Sequence, residues 1–461
     1  MKFNMKTNQS VITTFIILFI CLLSAVNVSA SSDIEQISKI INHKLNTEKL
    51  GVGVAIAVFD GEKTELLNFG LSHKNPSQKV NSDTLFEIGS ITKTFTTTAL
   101  ASMVNEGLIK LDEPIQKYLP KDVTIPVKNN KPITFLSLAT HKSGLPRLAS
   151  NMPFADPQDP YADYSVELLY AFLNNHELAH EVGTHQEYSN LGFGLLGHVM
   201  ALIDNKSYEQ MIYDRVLKPL KMSNSFIDIP EAKQNTLSDG HDGELNKAKH
   251  WDMGSLDGAG AIRSNIKDMS LYLIANIQDE PLHDEFAFIQ NTTNELLPTG
   301  NGIGMTWVVN RDKNANMFMH DGGTGGFRSF IGFDNETKKG IVILANSVFE
   351  MNAVGYHYLA GSLDSIKLET QKTIELLPEQ LSKLNGQFEL VPNFILTITN
   401  EGNQLFVQAT NQPRFSLDAT SNTEFTNKAL KLKIVFDIDE AGTATSLVLY
   451  QSGQVLPGKK L

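Results

Sequence analysis

Strand-like segments in this chain fall at two places separated by a long stretch that lacks them, and that spacing limits the folds open to it. Gly51 to Phe59 (GVGVAIAVF) is a β-branched, apolar run, followed by Asp60-Gly61 and then by a second strand-like run, Lys63 to Phe69. Asp-Gly between two such runs is a hairpin signal, because the turn needs residues that tolerate positive φ. Strand signals return at Gly304 to Val309, Phe327 to Phe333 and Gly340 to Leu344. From Ser90 to Ala275 the pattern is helix-like or loop-like, punctuated by Gly and Pro. A further helix is predicted ahead of the first strand, with Ile34, Ile37, Ile41 and Leu45 on one face and Ser32 or Asp33 as its cap. This order implies an α+β fold: an antiparallel sheet assembled from both ends of the region and flanked by helices, with a helical region inserted between its halves.

The C-terminal part has a different texture. Gly386 to Val391, Phe394 to Thr399, Gln404 to Gln408, Leu432 to Asp437 and Ser446 to Gln451 are short strand-like runs, with Gly402, Gly442 and Gly453 at turns. Even, short strands with Gly-rich turns indicate a small all-β barrel or sandwich. Asp364 to Leu377 reads as a helix-like connection to it. The expected organisation is a signal peptide over 1–30, a catalytic domain over 31–363, a linker over 364–377 and a β-barrel over 378–461.

The N-terminus reads as an export signal. Lys2 and Lys6 supply the positive start, Val11 to Val26 the apolar run, and Val28-Ser29-Ala30 a small-residue cleavage site. The run is shorter than the ~20 residues of a membrane-spanning helix, so the expected product is exported, periplasmic or secreted, with no membrane span after cleavage. Cys21 is the sole cysteine and lies inside the apolar run; Ile20 before it is wrong for a lipid-anchoring site. The mature chain then has no disulfide, no cysteine nucleophile and no thiolate metal site. With 41% hydrophobic residues in 461, the chain has material for two or three domains, and disorder is excluded. Its net charge of −12, without basic clusters, argues against nucleic acid as a partner.

Three short constellations carry candidate chemistry. Phe86-Glu87-Ile88-Gly89-Ser90-Ile91-Thr92-Lys93 precedes helical periodicity that runs through Leu100 and Val104. A serine and a lysine three apart share one face of a helix, so the amine can take the hydroxyl proton if burial holds its pKa down. The helix N-terminus would add backbone N–H groups where an oxyanion develops. Alone the pair means little, since a chain of this length holds roughly two by chance. Tyr188-Ser189-Asn190 precedes the Gly-rich apolar segment Leu191 to Met200, and His320-Asp321-Gly322-Gly323-Thr324-Gly325-Gly326 stands at the start of a predicted strand. A tyrosine can shuttle protons if a neighbouring lysine lowers its pKa, and an asparagine can hold that lysine or donate to a substrate amide. A Gly-rich strand edge admits a substrate backbone and offers a second oxyanion N–H. Read singly, each also fits a packed tyrosine, a helix-capping asparagine or a tight turn.

Ser-x-x-Lys, Tyr-x-Asn and a late His-x-Gly, in that order, resemble the serine β-lactamase and penicillin-binding protein superfamily. FEIGSITKTF is similar to the nucleophile motif of the class C β-lactamase-related branch. Thr140-His141-Lys142-Ser143-Gly144-Leu145-Pro146, Pro219-Leu220-Lys221-Met222 and Ile343-Leu344-Ala345-Asn346 are further family-like signatures, and the resemblance runs from about Asp33 to Leu359. It implies a cofactor-free serine hydrolase working through an acyl-enzyme on β-lactams, D-alanine-type peptides or esters. It further implies Ser90 as nucleophile, Lys93 as its base and Tyr188 as proton relay. Asn190 would bind the substrate amide, and the N–H groups of Ser90 and Gly323 would form the oxyanion hole, with Gly322 beside it. His320 stands where true class C β-lactamases have a lysine whose charge faces the substrate carboxylate; a histidine, with an ordinary pKa near 6.5, is mostly neutral at pH 7. The C-terminal segment resembles the lipocalin-like domain of some His-x-Gly hydrolases, which implies a homo-oligomer or a cover over the site as its roles.

A rival signal is His176-Glu177-Leu178-Ala179-His180, which fits H-E-x-x-H, the zinc-protease motif with two histidines on one helix face. His185 falls one residue early for the third ligand of the longer form. The expectation is therefore no metal. His241 and His250 read as loop residues without a site. A binding protein on an inactive scaffold is the third class, and the presence of Ser90, Lys93 and Tyr188 together speaks against it.

Overall fold

The computed structural model describes residues 32–461 except 279, 293–300, 313–314, 369–372, 392–393, 411, 413, 428–429, 431 and 452–453. The export signal expected over 1–30 lies outside the described residues. Among the described residues no helix is long and apolar enough to cross a membrane.

Helix α1 (32–42) leads into β1 (Gly53–Phe59), β2 (Thr64–His73) and β3 (Gln78–Lys79). The rest of the sheet comes from β4 (Asn301–Gly304), β5 (Trp307–Asp312), β6 (Ala315–Gly323), β7 (Arg328–Asp334) and β8 (Gly340–Ala345). Their order is β3-β2-β1-β8-β7-β6-β5-β4, with every neighbour pair antiparallel. The first and last strands thus meet at the centre, Val54 opposite Ala345 through Phe59 opposite Gly340, as the two-ended strand pattern predicts. β1 is buried along its whole length because both its faces are covered. Val54, Ile56 and Val58 pack with Ile37, Ile40 and Ile41 of α1. Ala55, Ala57 and Phe59 face the larger core on the other side. Alternation therefore disappears from its sequence, and each fully buried aliphatic side chain contributes roughly 1.5–3 kcal/mol.

Strand β6 has no counterpart in the sequence reading. Ala315-Asn-Met-Phe-Met-His320 lacks a β-branched residue, and its extended form is set by pairing with β7, His320 opposite Ile331 and Gly323 opposite Arg328. His320 to Gly323 consequently end one strand; they do not begin another. The inserted region supplies α2 (Thr92–Asn105), α3 (Asn190–Asp204) and α4 (Ile266–Gln278), and α5 (Asn352–Leu359) follows the sheet.

The C-terminal segment is a closed, eight-stranded antiparallel barrel, β9 (Gly386–Val391) through β16 (Gln454–Lys460), sealed by Phe388 opposite Lys460. Three of its strands, Arg414–Ala419, Glu424–Asn427 and Gln454–Lys460, carry no clear sequence signal: two are short and polar, and the last contains Pro457 and Gly458. The expected helix-like connection at 364–377 is not helical among the described residues beyond the turn Leu363–Ser365. The helix comes later, at Pro378–Ser382, where Leu381 enters the barrel core with Leu376 and Leu384.

Candidate active site

Ser90 sits in the single turn Gly89–Ile91 that opens onto α2. Two glycines let this turn approach the end of β6. A Cβ on Gly89, whose φ is +50°, would come 2.7 Å from the Gly323 nitrogen, and one on Gly322 would come 2.1 Å from the Ile88 carbonyl oxygen. α2 itself is buried on nearly every side despite five threonines, because their hydroxyls are satisfied internally. Thr94 donates to Ile91 O at 2.8 Å, Thr96 to Gly258 O at 2.9 Å and Thr98 to Thr94 O at 2.9 Å. Ser90 is thereby mounted at the start of a helix buried in the centre of the domain.

Lys93 is completely buried, and its Nζ donates to Ser90 Oγ at 3.1 Å and to Ala259 O at 2.6 Å. Burial drives its pKa well below the usual lysine value, repulsion from Arg147 adds to this, and Asp321 opposes it. A neutral amine hydrogen-bonded to a serine hydroxyl is a general base in position. Tyr188 lies beside it, with Lys93 Nζ 4.8 Å from the ring centroid, and its hydroxyl interacts with Ser90. Burial pushes the phenol up to about 12, outweighing the lowering by Ser90 and Arg147. This departs from the expectation that the lysine would lower the tyrosine: burial discourages charge on both groups.

Tyr188 leads into α3, whose cap is Ser189, accepting from the Gly192 N–H at 2.8 Å. Asn190 is buried and donates to the Tyr161 hydroxyl at 3.0 Å, while its Oδ1 has no hydrogen-bond partner among the described residues. Tyr161 therefore takes the place expected of the lysine. Behind Tyr188, the His141 ring packs tilted against it at 4.5 Å between centroids and accepts the Ser189 N–H on Nδ1 at 3.1 Å. Burial holds His141 well below the ordinary histidine pKa. The block THKSGLP signalled this segment in sequence, but the role of His141 in seating Tyr188 was not readable from it.

His320 is buried, and both of its ring nitrogens are occupied. Nδ1 lies 2.7 Å from the Asp321 carbonyl oxygen, so it carries the proton, and Nε2 accepts from the Thr306 hydroxyl at 3.2 Å. Burial, reinforced by Lys93, lowers its pKa to about 4. A neutral imidazole with both nitrogens engaged offers no charge to a carboxylate.

Ser90, Tyr188, Gly322 and Gly323 line one cavity of about 500 Å³, together with Arg147, Trp251, Asp321, Thr324 and Arg328. Lys93 supports its floor from within the core. Arg147, Trp251 and Arg328 were missed in sequence because they come from loops and a strand end that carry no motif of their own. The H-E-x-x-H segment does not form the arrangement that motif requires: His176 caps the C-terminus of helix Val166–Asn175, and 177–180 is not helical. Its two histidines therefore do not share a helix face; His176 stacks on Phe172, and the His180 ring packs tilted against His185. Among the described residues no cluster of three metal-ligating side chains occurs. His241, expected in a loop without a site, is a buried residue of a two-residue strand, with Nδ1 3.0 Å from Asn346 O.

A serine hydroxyl bonded to a buried amine of lowered pKa, with a phenol at the same cavity, is the arrangement of a serine hydrolase. The chain belongs to the beta-lactamase family, whose description, Beta-lactamase, matches residues 43–362. Residues 370–460 match a domain of unknown function, DUF3471. A "Beta-lactamase" of Escherichia coli (strain K12) is 30% identical over 329 residues, covering 64% of this chain and 84% of that relative. "D-alanyl-D-alanine-carboxypeptidase/endopeptidase AmpH" of the same organism is 30% identical over 174 residues, 38% of this chain and 44% of that protein. Among solved structures, a class C beta-lactamase in complex with cefoxitin superposes with a TM-score of 0.62 at 25% identity, over 72% of this chain and 99% of that one.

Proposed function

We propose that this protein is an exported hydrolase that cleaves amide bonds of β-lactams or D-alanine-type peptides through an acyl-enzyme on Ser90. The observation that carries the reading is the 3.1 Å contact between Ser90 Oγ and a fully buried, deprotonation-prone Lys93. Lys93 takes the Ser90 proton as Oγ attacks the carbonyl carbon. The N–H groups of Ser90 and Gly323 receive the oxyanion. Tyr188 gives its proton to the departing nitrogen or oxygen and regains one from Lys93, so the acyl-enzyme forms with both groups neutral. Water then attacks the ester, loses its proton to the same pair, and Ser90 leaves with it.

A second reading within this class is a D-amino-acid peptidase or esterase with little β-lactamase activity. It is favoured by His320, which is neutral where class C β-lactamases place a lysine charge. Intact-mass spectrometry with a penicillin, a D-alanyl peptide and a simple ester, run with and without EDTA and on Ser90→Ala, tests both. A covalent adduct on wild type that survives EDTA and vanishes in Ser90→Ala supports the mechanism, and its lifetime separates fast β-lactam turnover from a trapped acyl-enzyme. Wild-type turnover in Ser90→Ala would sink it. Export is part of the proposal, and a mature N-terminus other than one just after Ala30 would overturn that cleavage site.

A further inference from the structure

The catalytic cavity is cationic in an otherwise acidic chain. Two guanidiniums, Arg147 and Arg328, and one carboxylate, Asp321, line it, whereas the whole chain carries a net charge of −12. A cleft of one sign inside a molecule of the other concentrates ligands of opposite charge. His320 contributes nothing to this field, being neutral and engaged at both nitrogens.

The two arginines are not equivalent. Arg328 is committed to the wall: its Nη1 donates to Thr324 O at 2.9 Å and to Phe327 O at 2.8 Å. Arg147 is fixed only through its main chain, where its carbonyl accepts from the N–H groups of Asn190 at 3.1 Å and Leu191 at 3.2 Å. That anchors it to the start of α3, beside the relay tyrosine. Its guanidinium lies 5.1 Å from the centre of the Tyr188 ring, and no described residue hydrogen-bonds or ion-pairs with it. Stacking on an aromatic face orients a guanidinium while leaving its in-plane N–H donors free for a carboxylate.

We propose that Arg147 is the receptor for a carboxylate carried on the leaving-group side of the substrate, supplying from the loop after helix Phe135–Ala139 the charge that His320 does not. The inference rests on the acyl-transfer reading, since Tyr188 marks the leaving-group side only if it protonates the departing atom. The substrate class that follows is an acyl donor whose leaving group is an acid, such as a peptide with a free C-terminal carboxylate.

The test uses two N-acylglycyl esters that differ only in the leaving group, 3-hydroxybenzoate and 3-hydroxybenzamide. Wild type should prefer the acid, and the preference should fall as salt is raised. In Arg147→Gln the ratio of kcat/KM for acid over amide should drop roughly tenfold, chiefly through KM, and Arg147→Lys should restore part of it. A ratio that moves less than twofold in Arg147→Gln, or that collapses only in Arg328→Gln, overturns the proposal. If wild type turns over neither ester, the acyl-transfer reading fails and this inference falls with it. If it turns over both without preference, only this inference falls.

Discussion

The two halves of the chain bury different things. In the sheet-and-helix body, the interior holds Lys93, His141, His320 and a threonine-rich helix, and the first of these meets Ser90 directly. In the barrel the core cluster is entirely apolar, and the buried polar side chains among its described residues are Thr426 and Asn427. Burying ionisable groups opposes stability, so their presence at the cavity is where the fold gives up stability for chemistry, whereas the barrel buries no ionisable side chain among its described residues. The contrast breaks first at Ser90. Ser90→Ala removes the attacking atom and should lower turnover on the order of 10⁴-fold or more while leaving the melting profile of the body intact. Residual activity within a hundredfold of wild type would mean that the buried constellation is not the catalyst.

The next largest effect belongs to the barrel. Phe425 is fully buried there and meets Phe436 edge-on at 5.6 Å between ring centroids. Phe425→Ala should destabilise the barrel by about 3–5 kcal/mol, seen as a shifted or separate unfolding transition in calorimetry. Acylation should persist, because Phe425 lies outside the catalytic cavity. Loss of both together would show one cooperative unit and erase the division.

The body's architecture was legible because its central strands are apolar on both faces and its termini carry the hairpin and strand signals. The contact of Ser90 with Lys93 was legible because local spacing puts the two on one turn, whereas Tyr188 came to them only through the family resemblance. What the sequence withheld depends on tertiary contacts. β6 is extended only because β7 pairs with it, Asn190 meets Tyr161 and not the lysine, and Arg147 stacks on Tyr188 across a gap in the chain. His320 is the sharpest case: its identity suggests a switch near pH 6.5, and its burial moves that switch to about 4.

That shift has a definite sign. A histidine whose folded pKa is depressed stabilises the fold above its unfolded value, and the contribution is lost as pH falls from about 6.5 toward 4, by at most about 3 kcal/mol. The melting temperature of wild type should therefore decline through this window, and His320→Gln should flatten part of the slope, with His141 supplying the remainder in the same direction. KM for an acidic substrate should show no inflection at pH 6–7. An inflection there would return the charge to His320. Activity should instead rise with pH as Lys93 loses its proton, at a pH below the ordinary lysine range.

The smallest effect probes the seam between the halves. Glu244 accepts from the Ser416 N–H at 3.2 Å and from its hydroxyl at 2.8 Å, joining the barrel to the hairpin formed by Gly240–His241 and Lys247–Ala248. The pair is exposed, so Glu244→Ala should cost only about 0.5–1.5 kcal/mol of local stability, read as faster amide exchange in Arg414–Ala419. Yet the same hairpin is tied to the site at two points: the His241 N–H donates to Gly326 O, and the chain leaving it carries Trp251 into the cavity wall. If the halves are independent, kcat stays within twofold of wild type when the seam is cut. A larger change, accompanied by altered Trp251 fluorescence, would mean that the barrel's position reaches the cavity through this hairpin, and that packing in one half adjusts chemistry in the other.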